Sequence, residues 1–199
     1  MKKIVLASNN QGKIAEFQAI LTTYQLIPQS HQDIPDVEET GLTFIENALI
    51  KARNACQHSG LPCIADDSGL IVDALNGRPG IYSARYAEKD DNHTTNMDKV
   101  LSEMRGIPAP QRTARFICTI VFMRAYDDPL PLICQGCWEG SILEKPQGAY
   151  GFGYDPIFWV SEYACSAAEL VPQLKNTLSH RAKALACLTD YFKKEHREL

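Results

Sequence analysis

The sequence predicts an α/β protein, and three observations carry that expectation. A short apolar run, Lys3 to Ala7, leads through a polar corner into residues at helical spacing, a strand–loop–helix unit. Apolar stripes of helical period recur further along, ending with Leu185, Leu188 and Phe192. Two long β-rich runs, Thr113 to Arg124 and Leu130 to Ile142, face each other across Tyr126-Asp127-Asp128-Pro129 as an antiparallel pair. At 199 residues and 45% hydrophobic content, residues 1–199 suit a single domain, in one or two lobes, with a sizeable core.

Lys3 to Ala7 reads as a buried strand, and Ile14, Phe17, Ile20 and Leu21 as the inner stripe of the helix that follows. Between them Ser8-Asn9-Asn10-Gln11-Gly12-Lys13 sits at a helix N-terminus, where unpaired N–H groups and the positive end of the dipole suit an anion such as phosphate. The Walker spacing is absent, and an ordinary N-cap by Ser8 or Asn10 accounts for the same residues. Tyr24 to Gln29 predicts a second strand. The acid-rich run from Asp33 to Gly41 is either a solvated loop or a source of carboxylate ligands. Thr43 and Glu46 fit a capping box. Ile45, Ala48, Leu49, Ala52 and Cys56 then mark a helix ending near Gly60, with Lys51 and Arg53 along it.

Ile64-Ala65-Asp66-Asp67-Ser68-Gly69 is the stretch around which the chain is organised. Apolar runs on either side, Leu61 to Ala65 and Leu70 to Val72, predict strand, acidic corner, strand. Two carboxylates beside a core strand carry a desolvation cost unless cations join them. A polar turn capped by Asp66 is the plainer alternative. Asn76 to Gly80 is a tight turn. A helix from Asp91 or Asn92 to Arg105 carries Met97, Val100, Leu101 and Met104 inward and stops at Gly106, and residues 107–111 form a short linker. Gln147 to Pro156 is a glycine–aromatic loop, read either as a flexible turn or as a platform for a planar base. Ile157 to Val160 resumes strand character. The last helix starts within Asn176 to Arg181, placing His180 and Arg181 in its first turn, where cations oppose the dipole unless an anion or carboxylate meets them.

Composition excludes several classes. A net charge of −4 without a basic stripe argues against gripping long nucleic acid, while leaving small anionic ligands open. Seven scattered cysteines (56, 63, 118, 134, 137, 165 and 187) read as reduced thiols of a cytoplasmic protein. The pair Cys134 and Cys137 lacks the further ligands that zinc needs. Only four apolar residues follow Met1-Lys2-Lys3, too few for a signal peptide, and no segment approaches the roughly 18 of a membrane span. Order is expected up to a tail from Lys193 to Leu199.

One arrangement unites the scattered parts. Asp66, Asp67, Glu38 and Glu39 are oxygen ligands of the kind Mg²⁺ takes, and Lys13, Lys51 and Lys175 can neutralise a polyphosphate. The aromatic loop can stack a base, with His180 and Arg181 reading its edge.

Six segments, in order over nearly the whole chain, resemble the inosine triphosphate pyrophosphatase family, the bacterial dITP/XTP branch most closely. They are Ala7 to Lys13, Glu38 to Arg53, Ala65 to Leu70, Gly80 to Tyr86, Gly151 to Phe158 and Ser179 to Leu185. The resemblance implies an elongated two-lobed body with a mixed, twisted sheet flanked by helices, a cleft between the lobes, and a homodimer. It implies that water attacks the α-phosphorus of dITP, ITP or XTP with Mg²⁺, releasing the monophosphate and pyrophosphate. By similarity Asp67 is the general base and lies against the metal, with Glu39 or Glu38 as a further ligand. Ser8, Asn9, Asn10, Gln11, Gly12 and Lys13 would hold the triphosphate with Lys51, and Ser68 would touch the nucleotide. Phe152, Gly153, Tyr154, Asp155, Lys175, His180 and Arg181 would form the base and phosphate site. Asn9 departs from the glycine frequent at its position; were φ positive there, asparagine would be the best tolerated substitute.

Inosine and xanthine present a 6-oxo group and N1–H where adenine presents an amino group and a bare nitrogen. A buried site built for that pattern rejects the mismatched analogue by up to about 10⁴–10⁵. Guanine shares the 6-oxo pattern, so the 2-amino group must carry its rejection. Three rivals remain: a nucleotide-binding module without turnover, a pyrophosphatase for modified pyrimidine triphosphates, and a structural α/β protein.

Overall fold

The computed structural model describes residues 2–87 and 93–195. Among the described residues seven strands form one sheet in the order β2-β1-β3-β4-β5-β6-β7. They are β1 (Lys3–Leu6), β2 (Gln25–Pro28), β3 (Cys63–Val72), β4 (Thr113–Met123), β5 (Leu132–Ile142), β6 (Phe158–Val160) and β7 (Cys165–Ser166). The helices are α1 (Gln11–Ile20), α2 (Phe44–Ser59), α3 (His93–Glu103), α4 (Pro172–Leu178) and α5 (His180–Glu195). The sheet is mixed: β1 runs parallel to β2 and β3, whereas β6 runs antiparallel to β5 and β7. The expected pair of long β runs is present as neighbours β4 and β5.

The chain divides into two compact units. Unit 1 comprises Met1–Asp67, Cys118–Gly136 and Arg181–Leu199, and unit 2 comprises Ser68–Ile117 and Cys137–His180. In unit 1 the pleat sorts side chains onto two faces. Ile4, Leu6, Ile64 and Ile120 pack against Ile14 and Phe17 of α1 and against Leu185, Leu188 and Phe192 of α5. Val5, Ala7, Cys63, Ala65 and Val121 pack against Ala48, Ala52, Ala55 and Cys56 of α2. Phe17 is fully buried, a burial worth about 1.5–3 kcal/mol. Unit 2 has its own core, in which Val100 and Met104 join Leu70, Phe116, Trp138 and Phe158. Arg112, buried there, donates to the carbonyl oxygens of Met104, Ile107, Ile142 and Leu143, satisfying a helix end from across the unit.

Local signals placed several ends. Thr43 caps α2 by accepting from the Glu46 N–H, and Gly60 closes the helix at φ 65°. Asn10 caps α1 by accepting from the Lys13 N–H, while Ser8 Oγ accepts from the Asn10 N–H. Asn9 does not adopt a positive φ, so the loop makes no demand for glycine; its amide donates to Asp36 instead.

Two expectations are corrected. The acidic corner is absent: β3 continues without a break through Asp66, Asp67, Ser68 and Gly69. The chain has no need to turn toward water there, because each carboxylate finds a cation on its own face of the sheet. The last helix starts at His180, within the expected span and with His180 and Arg181 in its first turn; a further short helix, α4, precedes it and carries Lys175, and Ser179 is extended between the two. α5 also runs on through Lys193 to Glu195, into the expected tail; residues 196–199 lie outside the described residues. Gly80–Arg85 forms a 3₁₀ helix and β7 closes the sheet edge, neither of which was expected. The predicted start of α3 at Asp91 or Asn92 lies outside the described residues.

Candidate active site

In unit 1 the order β2-β1-β3 makes a topological switch point. The connection through α1 leaves β1 on one face, and α2, ahead of β3, covers the other. Parallel sheets hold ligands outside the carboxyl ends of such strands. Leu6 pairs with Ile64 and the Ala7 N–H donates to the Ile64 carbonyl, so the loop from Ser8 to Asn10 leaves β1 beside Asp66 and Asp67.

Strand alternation sends the two adjacent aspartates to opposite faces. Asp66 enters the face covered by α1 and α5, where its Oδ2 lies 3.0 Å from Lys13 Nζ and 3.2 Å from Arg181 Nη2. Arg181 also pairs with Glu16, one turn beyond Lys13 on α1. Carboxylate partners thus relieve the conflict between Arg181 and the α5 dipole. Burial alone would raise the pKa of Asp66, but Lys13, then Arg181 and Lys51, outweigh it and hold the carboxyl well below the ordinary range. Asp66 Oδ1 is buried with no hydrogen-bond partner among the described residues.

Asp67 enters the face covered by α2. Its Oδ1 lies 3.3 Å from Lys51 Nζ, and its Oδ2 accepts from Asn47 Nδ2 at 3.3 Å. Lys51 also meets Glu39 Oε1 at 2.8 Å. Burial, only partly countered by Lys51 and reinforced by Glu39, raises the Asp67 pKa. Burial pulls Lys51 down, yet Asp67, Asp66 and Glu39 together raise it, so the amine stays charged. Two neighbours in sequence are therefore pushed in opposite directions. Asp66 is a fixed anion, and Asp67 is the better proton acceptor.

Asn47 is a site residue that the sequence reading passed over. It is fully buried and accepts from the Gly41 N–H at 2.8 Å, tying the Glu39 loop to Asp67. A Cβ on Gly41 would meet Asn47 Oδ1 at 2.6 Å, so this close approach requires glycine. Its signal was its position four residues before Lys51, on the same helix face. Glu16, three residues after Lys13, was missed in the same way.

Among the described residues no group of three or more His, Cys, Asp or Glu side chains converges to hold a metal ion. Mg²⁺ does not require one, since it binds through one or two carboxylates together with substrate phosphates. Glu39 and Asp67, two carboxylates sharing Lys51, fit that donor set. Asp66 has its Oδ2 committed to two cations, and Glu38 is solvent-exposed.

In unit 2 the aromatic loop gathers a second cluster. Asp155 Oδ2 accepts from the Phe152 N–H at 2.8 Å and lies 2.6 Å from Lys175 Nζ, an ion pair buried on both sides. That ammonium stands 5.0 Å from the centroid of the Phe152 ring, within cation–π range. Tyr154 is buried and donates to the Ser83 carbonyl at 2.8 Å, fastening the loop from below. His180 stacks on Phe116. Gly151 has φ 77°, and a Cβ there would meet Asp155 Oδ2 at 2.1 Å. Gly151→Ala is therefore expected to cost about 1–3 kcal/mol in chemical denaturation; an unchanged midpoint and slope would show that the loop does not depend on this contact.

The structure thus gathers Lys13, Lys51, Glu39, Asp66, Asp67 and Arg181 in unit 1, and Phe152, Asp155 and Lys175 in unit 2. Asn9 and Gln11 are exposed, and Ser68, half-buried, continues β3.

Fold and site define an α/β protein that collects carboxylates and lysines at the switch point of parallel strands, a position suited to phosphate-bearing ligands. The Ham1 family model matches residues 4–191, and the chain belongs to the Ham1 family. A dITP/XTP pyrophosphatase of Vibrio cholerae is 57% identical over 187 residues, covering 93% of this chain and 94% of the relative. One from Methylococcus capsulatus is 53% identical over 189 residues, covering 94% of each. The structure of a HAM1 protein from Coxiella burnetii superposes with a TM-score of 0.91 at 48% identity, covering 98% of this chain and all of that one. The Staphylococcus aureus Ham1 protein gives 0.88 at 42% identity, with 98% and 100% covered.

Proposed function

We propose that the chain is a nucleoside triphosphate pyrophosphatase that hydrolyses dITP, ITP and XTP to the monophosphate and pyrophosphate, cleansing the nucleotide pool. The observation that carries this reading is the pair Asp66–Asp67. One strand presents two carboxylates to opposite faces, each with its own lysine, beside the loop that opens α1. The names of relatives matching over nine-tenths of the chain support the substrate class.

In this reading Lys13 and Lys51 exchange part of their carboxylate contacts for phosphate oxygens when substrate binds. Phosphoryl transfer asks mainly for positioning and for neutralisation of spread charge, which lysines supply. Asp67, with its raised pKa, orients the attacking water and accepts its proton. Asn47 and Lys51 fix the carboxylate for that task. Glu39 and Asp67 would hold Mg²⁺, which supplies charge neutralisation at the phosphates and a more acidic water. Phe152 is assigned to stacking the base, Lys175 and Asp155 to holding Phe152 in place, and His180 to reading the purine edge. Arg181 keeps Asp66 ionised. A cytoplasmic location rests on the free cysteines, and a homodimer on the family resemblance.

Product analysis tests the reading: dITP is expected to yield dIMP and pyrophosphate, whereas orthophosphate release or no turnover contradicts it. Lys13→Ala is expected to raise KM for dITP by about tenfold or more, the loss of a charged hydrogen bond worth about 1.5–3 kcal/mol. An unaffected KM would remove Lys13 from the phosphate site.

A further inference from the structure

We propose that Phe116 is a positioning residue for substrate discrimination, fixing the plane of the His180 imidazole; this rests on the reading of His180 as the reader of the purine edge. The two rings lie almost parallel, with centroids 4.8 Å apart and planes inclined by 15°. Nothing in the sequence pointed to Phe116, which reads as one more apolar residue of a β run.

An imidazole that reads a purine must present its nitrogens in the plane of the base. The start of α5 fixes the His180 backbone, but the torsion that turns the ring is broad and roughly two-fold. Phe116 narrows that freedom to one plane, because tilting the imidazole out of it would break the stack. Phe116 itself has little room to follow. Its ring lies 4.5 Å from Phe158 and 6.4 Å from Trp138, and these two stand 5.4 Å apart. Phe158 is fully buried and Trp138 nearly so. A braced aromatic cluster therefore ends in a histidine at a helix start, and the stiffness of the cluster passes to the imidazole.

The experiment combines steady-state kinetics with NMR of His180 in the full-length protein. In the wild type the ring current of Phe116 is expected to shift the His180 ring protons upfield of an unstacked histidine. Phe116→Leu keeps an apolar side chain but removes the ring face. It is expected to raise KM for dITP about two- to tenfold, the usual worth of an aromatic pair, with kcat changed less than about twofold. The His180 ring protons should move downfield, and the preference for dITP over dGTP should narrow. Val100→Ala perturbs the same core at a side chain that is none of the braced rings. It should leave KM and the His180 resonances near wild type, although it lowers Tm as much. Unshifted His180 protons in the wild type overturn the inference without any variant, as does an equal rise in KM in both variants. If His180→Leu raises KM while Phe116→Leu does not, the inference fails alone. If His180→Leu also leaves KM unchanged, the reading of His180 fails and takes the inference with it.

Discussion

Asp67→Asn is expected to reduce kcat for dITP by about 10²–10⁴-fold, the range for loss of a positioned general base, while leaving the protein folded. Asparagine keeps the shape and the contact with Asn47, and Lys51 retains Glu39. The variant cannot accept a proton. Stability should not fall, for a reason that follows from the direction of the pKa shift. A carboxyl raised in the folded state binds its proton more tightly there than in the unfolded chain, so at neutral pH its ionised form weighs against folding. Removing that charge offsets the loss of the lysine contact. The relief is present above the folded pKa and vanishes as pH falls below the ordinary carboxylate value. Wild-type turnover in the variant would displace Asp67 from the chemistry, and a fall in Tm at pH 7 would make it structural.

Asp66→Asn is expected to do the reverse. Asp66 is fully buried, and its Oδ2 balances Lys13 and the buried Arg181. Removing one member of a buried ion pair costs about 3–5 kcal/mol because the other charge is left uncompensated. For a chain of this length that is a fall of roughly 6–20 °C in Tm. The pH dependence has the opposite sign from that of Asp67. A carboxyl depressed in the folded state contributes stability above its unfolded pKa and loses it as pH falls through the folded one. The gap in Tm between wild type and variant should hold steady from about pH 5 to 8 and narrow below about pH 4. Equal Tm values at pH 7 would mean that Glu16 alone satisfies Arg181. Measured together, the two substitutions separate the anion that shapes the site from the one that acts in it.

What the sequence made legible was largely local. The strand–loop–helix at the N-terminus, the Thr43 cap and the Gly60 stop follow from interactions within a turn or two of the chain. Asp66 and Asp67 read as a corner because aspartate is poor in strands. The cations that make a continuous strand tolerable come from α1, α2 and α5, up to 115 residues away. The start of α5 was legible within Asn176 to Arg181, whereas α4, only seven residues long, was not read from the sequence. Glu38 and Glu39 were indistinguishable in sequence, and the fold turns Glu39 toward Lys51 while leaving Glu38 in solvent. Asn47 was hidden among the small apolar residues of α2, and only its spacing from Lys51 reveals it.

The central claim is that the carboxylate pair of β3 directs water at the α-phosphorus. Hydrolysis of dITP in ¹⁸O-labelled water addresses it without any substitution. A single labelled oxygen in dIMP, with unlabelled pyrophosphate, is the expected result. Label in the pyrophosphate, with unlabelled dIMP, would mean that the attack falls on the β-phosphorus and contradict the account.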